Sequence, residues 1–176
     1  MDVSVDTVKR LTIKPESGQS LWVFLEGYGP GRGRLTVIHD GDVWSYYWGA
    51  MGERTPTLET FVPDCHPDYL LRKLSPETEK WIDDLDNLVA DARKTIIESR
   101  RENSLCMSEA RVLYNRAKDL EEGTLEENSD LLYDIYGDEW WFGLPKKENP
   151  EYRRLIGLFS TVQEGIRKAV LMEEKV

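Results

Sequence analysis

Cysteine and histidine are scarce in this chain. Its two cysteines, Cys65 and Cys106, are too few for a disulfide framework. With His39 and His66 they form none of the C-x2-4-C or H-x3-5-H pairs that hold structural zinc, so neither a metal site nor a cofactor is expected. Composition alone leaves open a dyad of His39 with Cys65 or Cys106. But Cys65 and His66, being adjacent, face different directions, and no nucleophile motif surrounds either thiol. Paired carboxylates are abundant, yet abundance is no catalytic geometry, and the chain is expected to be non-enzymatic, with no catalytic residue to name. Long apolar runs are also missing. None approaches the roughly 18–20 residues of a membrane span, and Met1–Arg10 lacks the apolar core of a signal peptide. The expectation is a protein of the cytoplasm, with no membrane partner.

The most informative absence is local. Between Asp119 and Glu139 there is no Lys or Arg, while nine carboxylates supply −9 of a net charge of −10. They are Asp119, Glu121, Glu122, Glu126, Glu127, Asp130, Asp134, Asp138 and Glu139, and the run ends in Trp140, Trp141 and Phe142. Glu126, Asp130 and Asp134 are spaced four apart. On a helix they share a face and repel by a few tenths of a kcal/mol per pair, a cost that a cationic partner removes. Adjacent tryptophans cannot both point inward, so one is expected at the surface, where Trp is favoured as an interface anchor. A surface of Glu121, Glu122, Glu126, Glu127, Asp130, Asp134, Asp138, Glu139, Trp140 and Trp141 would suit a protein with a basic surface. Mimicry of DNA phosphates is a further option, though it usually takes a larger charged area. The bland alternative is a solvated helix face beside aromatics that serve the core.

With 40% hydrophobic residues, including six Trp, eight Tyr and four Phe, the chain can build a sizeable core. Its pattern changes near residue 56. Before it, strand signals dominate: Val8–Ile13, a turn at Pro15–Gly18, Leu21–Glu26, Leu35–Ile38 and Val43–Trp48. Asp40-Gly41 marks a two-residue hairpin. After Pro56 the period becomes helical. Thr57–Val62 should stop at Pro63, Pro67–Leu74 follows, and Ser75-Pro76 reads as the start of a helix burying Trp81, Leu85, Leu88, Ala92 and Ile96. Ser108 should cap a helix with Val112, Leu113, Ala117 and Leu120 inward. Thr124 and Glu127 form a capping box before Leu131, Leu132 and Ile135, with Gly137 as terminator. Asn149-Pro150 opens the last helix, facing Leu155, Phe159, Val162, Ile166 and Ala169 inward. The expectation is an α+β fold: an antiparallel meander of three to four strands over residues 1–56, then a helical region over 57–176 packed on it as one domain.

The loop Gly27–Arg34 holds four glycines, Tyr28, Arg32 and Arg34, but joins two strands and lacks the Gly-Lys-Ser/Thr ending of a phosphate loop. It reads as a flexible hairpin tip. If nucleic acid binds this chain at all, Tyr28, Arg32 and Arg34 are the contacts to expect. Trp44, Tyr46 and Trp48 share one face of their strand and either stack on bases or form the sheet's buried side. The overall acidity disfavours general phosphate-backbone binding.

The segment Trp44-Ser45-Tyr46-Tyr47-Trp48-Gly49-Ala50-Met51-Gly52, with Phe61 and Asp68–Leu74, resembles small uncharacterised accessory proteins of tailed phages and prophages over about residues 35–75. That resemblance implies a setting rather than a site. Such proteins often bind and redirect host machinery, including defence nucleases, as anti-CRISPR and anti-restriction proteins do. The expected function is a phage-type protein that inhibits or redirects a host nucleic-acid-handling protein through its acidic surface. A nucleic-acid-binding accessory protein is the alternative.

Overall fold

The computed structural model describes residues 1–3, 7–15 and 18–175. The fold is α+β. Strands β1 (Lys9–Ile13), β2 (Leu21–Gly27), β3 (Gly33–His39) and β4 (Asp42–Trp48) form one antiparallel sheet in the order β1-β2-β3-β4. The expected Pro15–Gly18 turn includes residues 16 and 17, which lie outside the described residues. At the β3–β4 turn Asp40 and Gly41 both take positive φ, 51° and 89°, as a type I′ turn demands. Alternation then decides the faces. Leu21, Val23, Leu25, Leu35, Val37, Trp44 and Trp48 are all buried, and register pairs Val23 with Val37 and Val37 with Trp44.

The chain divides into two compact units, Met1–Lys80 with Pro150–Val176, and Trp81–Asn149. In the first, helices α1 (Leu58–Asp64), α2 (Pro67–Leu74) and α7 (Pro150–Glu173) cover the inner sheet face. Pro63 lies within the last turn of α1 rather than ahead of its end. Its ring and the helix terminus leave carbonyls without intrahelical partners. Gln163 of α7, only 3% exposed, donates to the Val62 and Cys65 carbonyls at 2.8 and 2.7 Å, and Arg167 donates to that of Pro63. The α7 residues Leu155, Phe159, Val162 and Ile166 are buried as expected. Gly165 lets this helix reach β1, because a Cβ there would lie 2.2 Å from Ile13 Cδ1.

From Ser75 onward, at the end of the first unit's N-terminal part and through the second unit, the chain departs further from expectation. No helix starts at Ser75-Pro76. Ser75 instead closes α2, its N–H bonding the Leu71 carbonyl at 2.7 Å and its hydroxyl meeting Glu77 and Thr78. Trp81–Asp83 then forms β5, paired antiparallel with β6 (Lys146–Glu148). Trp81 and Leu85 are therefore about half exposed, not buried. Lys147 clamps the ribbon to Asp84 and Asp86 at 3.1 and 2.5 Å. The buried stripe Leu88, Ala92 and Ile96 belongs to α3 (Leu88–Arg101). Helix α4 (Met107–Arg116) is capped by Cys106 with Glu109, not by Ser108, and turns Ala110 and Leu113 inward while Val112 is 56% exposed. Helices α5 (Ser129–Tyr136) and α6 (Trp140–Gly143) complete this unit.

Candidate partner-binding surface

The acidic run is built on α5 and its flanks. Thr124 and Glu127 form the expected capping box, with Thr124 N–H to Glu127 at 2.7 Å and Glu127 N–H to the Thr124 hydroxyl at 3.2 Å. The turn it closes precedes the regular helix, which begins only at Ser129. Asn128 explains the offset, since its side-chain amide folds back to the Glu122 and Thr124 carbonyls. Leu131, Leu132 and Ile135 bury against α3 and α4. The opposite face holds the carboxylates, and all nine are exposed.

Two of the nine already have work inside the protein. Glu127 is the cap, and Asp134 lies 3.8 Å from Arg116 of α4. The cation missing from the local sequence thus arrives from another helix, a pairing no local spacing announces. Asp119, Glu121, Glu122, Glu126, Asp130, Asp138 and Glu139 remain at the surface.

The aromatics divide. Trp140 is half-buried against the core of the second unit, whereas Trp141 is 48% exposed and Phe142 75%. Their rings stand in series, centroids 5.7 and 6.0 Å apart. Trp141 meets the expectation of one exposed tryptophan; Phe142, which was not singled out as a contact, is the most exposed of the three. Beneath them the fold is anchored by Tyr136, whose hydroxyl donates to Asp91 at 3.0 Å. Burial, then that bond, pushes the Tyr136 phenol above its ordinary range.

The same unit has a cationic side. Ile96, Ile97, Met107 and Tyr114 line a shallow groove of about 400 Å³ rimmed by Arg100, Arg101 and Arg111, and Arg93 lies 5.1 Å over the Tyr114 ring. The arginines on α3 fall at i, i+7 and i+8, a signal the sequence carried.

The other candidates lie in the first unit. The Gly27–Arg34 loop is not a loose tip: Gly31 N–H bonds the Pro56 carbonyl and Met51 N–H the Gly31 carbonyl, both at 2.8 Å. Tyr28, Arg32 and Arg34 are exposed, but Tyr28 bonds Glu26, and Arg34 stands 3.9 Å from the same carboxylate. Trp44 and Trp48 belong to the core, with Tyr46 packed against it, so these three cannot serve as a stacking platform. Trp48 Nε1 donates to the Tyr69 hydroxyl at 2.9 Å, inside the helix-covered side. Cys65 is half-buried and its thiol is pushed up to about 11, chiefly by burial. His66 caps α2 by accepting from Asp68 N–H at 3.2 Å. Among the described residues no hydrogen bond joins a cysteine to a histidine, and no group of three or more His, Cys, Asp or Glu is placed to hold a metal. No helix among them is long and apolar enough to cross a membrane.

A family model for the phage family Phage_phiTE_072 matches residues 1–168. The chain belongs to that phage family. The match takes in both units and reaches far beyond the stretch around residues 35–75 in which the resemblance was legible. No curated protein and no solved structure matches this phage protein.

Proposed function

We propose that this phage protein is a non-enzymatic interaction protein that binds a basic surface on a host protein and inhibits or redirects it. The partner class is a nucleic-acid-handling protein, a defence nuclease complex being the foremost example, because such proteins carry cationic grooves. The observation that carries this reading is the joint exposure of Trp141 and Phe142 beside carboxylates that have no Lys or Arg in their own segment. Charge steers the encounter and exposed aromatics supply the anchor that charge alone lacks. Disruption of a nucleic-acid groove needs no chemistry in the inhibitor, only occupancy.

The test is capture from host lysate followed by mass spectrometry, run with the wild type, with E121K/E122K/E126K/D130K and with W141A/F142A. Glu127 and Asp134 stay untouched, since their reversal breaks the cap and the Arg116 pair. The expected result is a specific partner lost in both variants while circular dichroism stays that of the wild type. A partner retained by both variants overturns the proposal.

A further inference from the structure

The sheet has a second face, and its chemistry differs from that of the acidic surface in the second unit. Residues alternating with the buried ones form three rows across it. Thr12, Trp22, Ile38 and Val43 align in one, Arg10, Phe24, Thr36 and Ser45 in the next, and Glu26, Arg34 and Tyr47 in the third. Within the first unit the helices all pack on the inner side, and on the outer face Trp22 is 50% exposed, Val43 60% and Tyr47 44%, with Phe24 half-buried. Thr36 and Ser45 share a hydroxyl hydrogen bond at 2.9 Å, and Tyr28 packs edge-on to Tyr47 with centroids 5.7 Å apart.

Charge on this face runs against the whole chain. Arg10, Lys14 and Arg34 are exposed on its strands and flank, and among the described residues of its three rows the one carboxylate is Glu26, which Arg34 approaches at 3.9 Å. Trp22 and Phe24 sit two apart on a central strand, so their rings stand about 7 Å apart along it, room for one flat group over each. Arg10 lies on β1, the neighbouring strand about 5 Å away, and Lys14 just past its end, with Thr12 between them in sequence. A ligand fitting both tracks has planar rings in series and an anionic chain beside them.

We propose that the outer face of the sheet binds single-stranded nucleic acid, bases stacked on Trp22 and Phe24 and phosphates held by Arg10 and Lys14. Stacking is indifferent to sequence because every base offers a π-face, and open sheets with exposed aromatics suit single strands rather than duplexes. The site is independent of the acidic surface in the second unit. It also replaces the aromatics that the sequence suggested: Trp44, Tyr46 and Trp48 face inward because the helices dock there.

Fluorescence anisotropy of labelled oligo(U) and oligo(dT) with the full chain, between about 50 and 200 mM NaCl, tests this. Binding is expected to weaken about ten-fold for Trp22→Ala and likewise for Phe24→Ala. R10A/K14A should flatten the dependence of log K on log salt by about 1.4, the contribution of two lost phosphate contacts. W141A/F142A should bind like the wild type, which separates this site from the partner surface. Trp22→Phe should restore most binding, so a loss in Trp22→Ala cannot be put down to misfolding. Absence of binding at the lowest salt, equal affinity for duplex DNA, or unchanged affinity in Trp22→Ala and Phe24→Ala would each overturn the proposal. So would self-association of the chain that Trp22→Ala abolishes, which would make the face an interface between copies.

Discussion

The first unit closes its core by laying a 24-residue helix and two short ones over a four-stranded sheet, whereas the second relies on helices of 14, 10 and 8 residues and a two-stranded ribbon. Their charges differ as much as their materials. The first carries 16 acidic and 14 basic residues, the second 17 and nine, so −8 of the net −10 resides in Trp81–Asn149. Short helices bury little each and expose much, which leaves most of their surface open to charged side chains. The long helix of the first unit instead spends its inward stripe on the sheet. The comparison teaches that the acidity of this chain is a property of one unit rather than of the protein, and that the nearly neutral unit can display a cationic face without contradiction.

The largest test of that division is Phe159→Ala, which removes a fully buried ring from the first core and should cost about 3–5 kcal/mol there. Hydrogen exchange read by mass spectrometry should show lost protection in β1–β4 and α7 with α3–α5 unchanged. Equal loss in both units would mean one cooperative core. Leu132→Ala is the mirror experiment, expected to cost about 2–5 kcal/mol in the second unit alone.

A smaller contrast comes from pH. The Tyr136 phenol is held above its unfolded value of about 10, so its contribution to the second unit is complete below that pH and fades as pH rises toward the folded value. Tyr136→Phe should make alkaline melting of the second unit less steep. Asp68 in the first unit is held low, mainly by the Tyr152 hydroxyl. Its contribution is present above about pH 4 and disappears as pH falls through the folded value. Tyr152→Phe should therefore flatten the acid limb of the first unit, an effect read by melting temperature against pH.

The smallest effect is chemical. Iodoacetamide at mildly alkaline pH should label exposed Cys106 before half-buried Cys65, whose thiol at about 11 leaves roughly 100-fold less thiolate than its ordinary value of 9.0 would. Peptide mapping over time checks the order.

Local rules recovered much of this fold. Leu21, Val23 and Leu25 alternate because only one sheet face has helices to meet, and Asp40-Gly41 can hardly form anything but a tight hairpin. What failed was long-range competition. Ser75-Pro76 has the chemistry of a helix start, but Ser75 is consumed in closing α2, and Trp81–Asp83 finds its partner at Lys146–Glu148. Such a pairing, some sixty residues away, leaves no trace in local periodicity. The choice between the two aromatic faces of the sheet was equally invisible, because Trp22, Phe24 and Tyr47 alternate as well as Trp44, Tyr46 and Trp48 do. At the acidic surface the capping box and the exposed tryptophan were legible. The Arg116–Asp134 pair was not, since α4 and α5 meet only in three dimensions.

The β5–β6 ribbon has a consequence for synthesis. It brings Trp81 opposite Glu148, so the second unit is a closed excursion whose entry and exit lie side by side. On the ribosome that excursion is finished while the sheet that preceded it still waits for Phe159, Val162 and Ile166. The first part to emerge is therefore the last to be sealed, and for the interval in which residues 81–149 are being added the inner face of the sheet has only α1 and α2 to cover it.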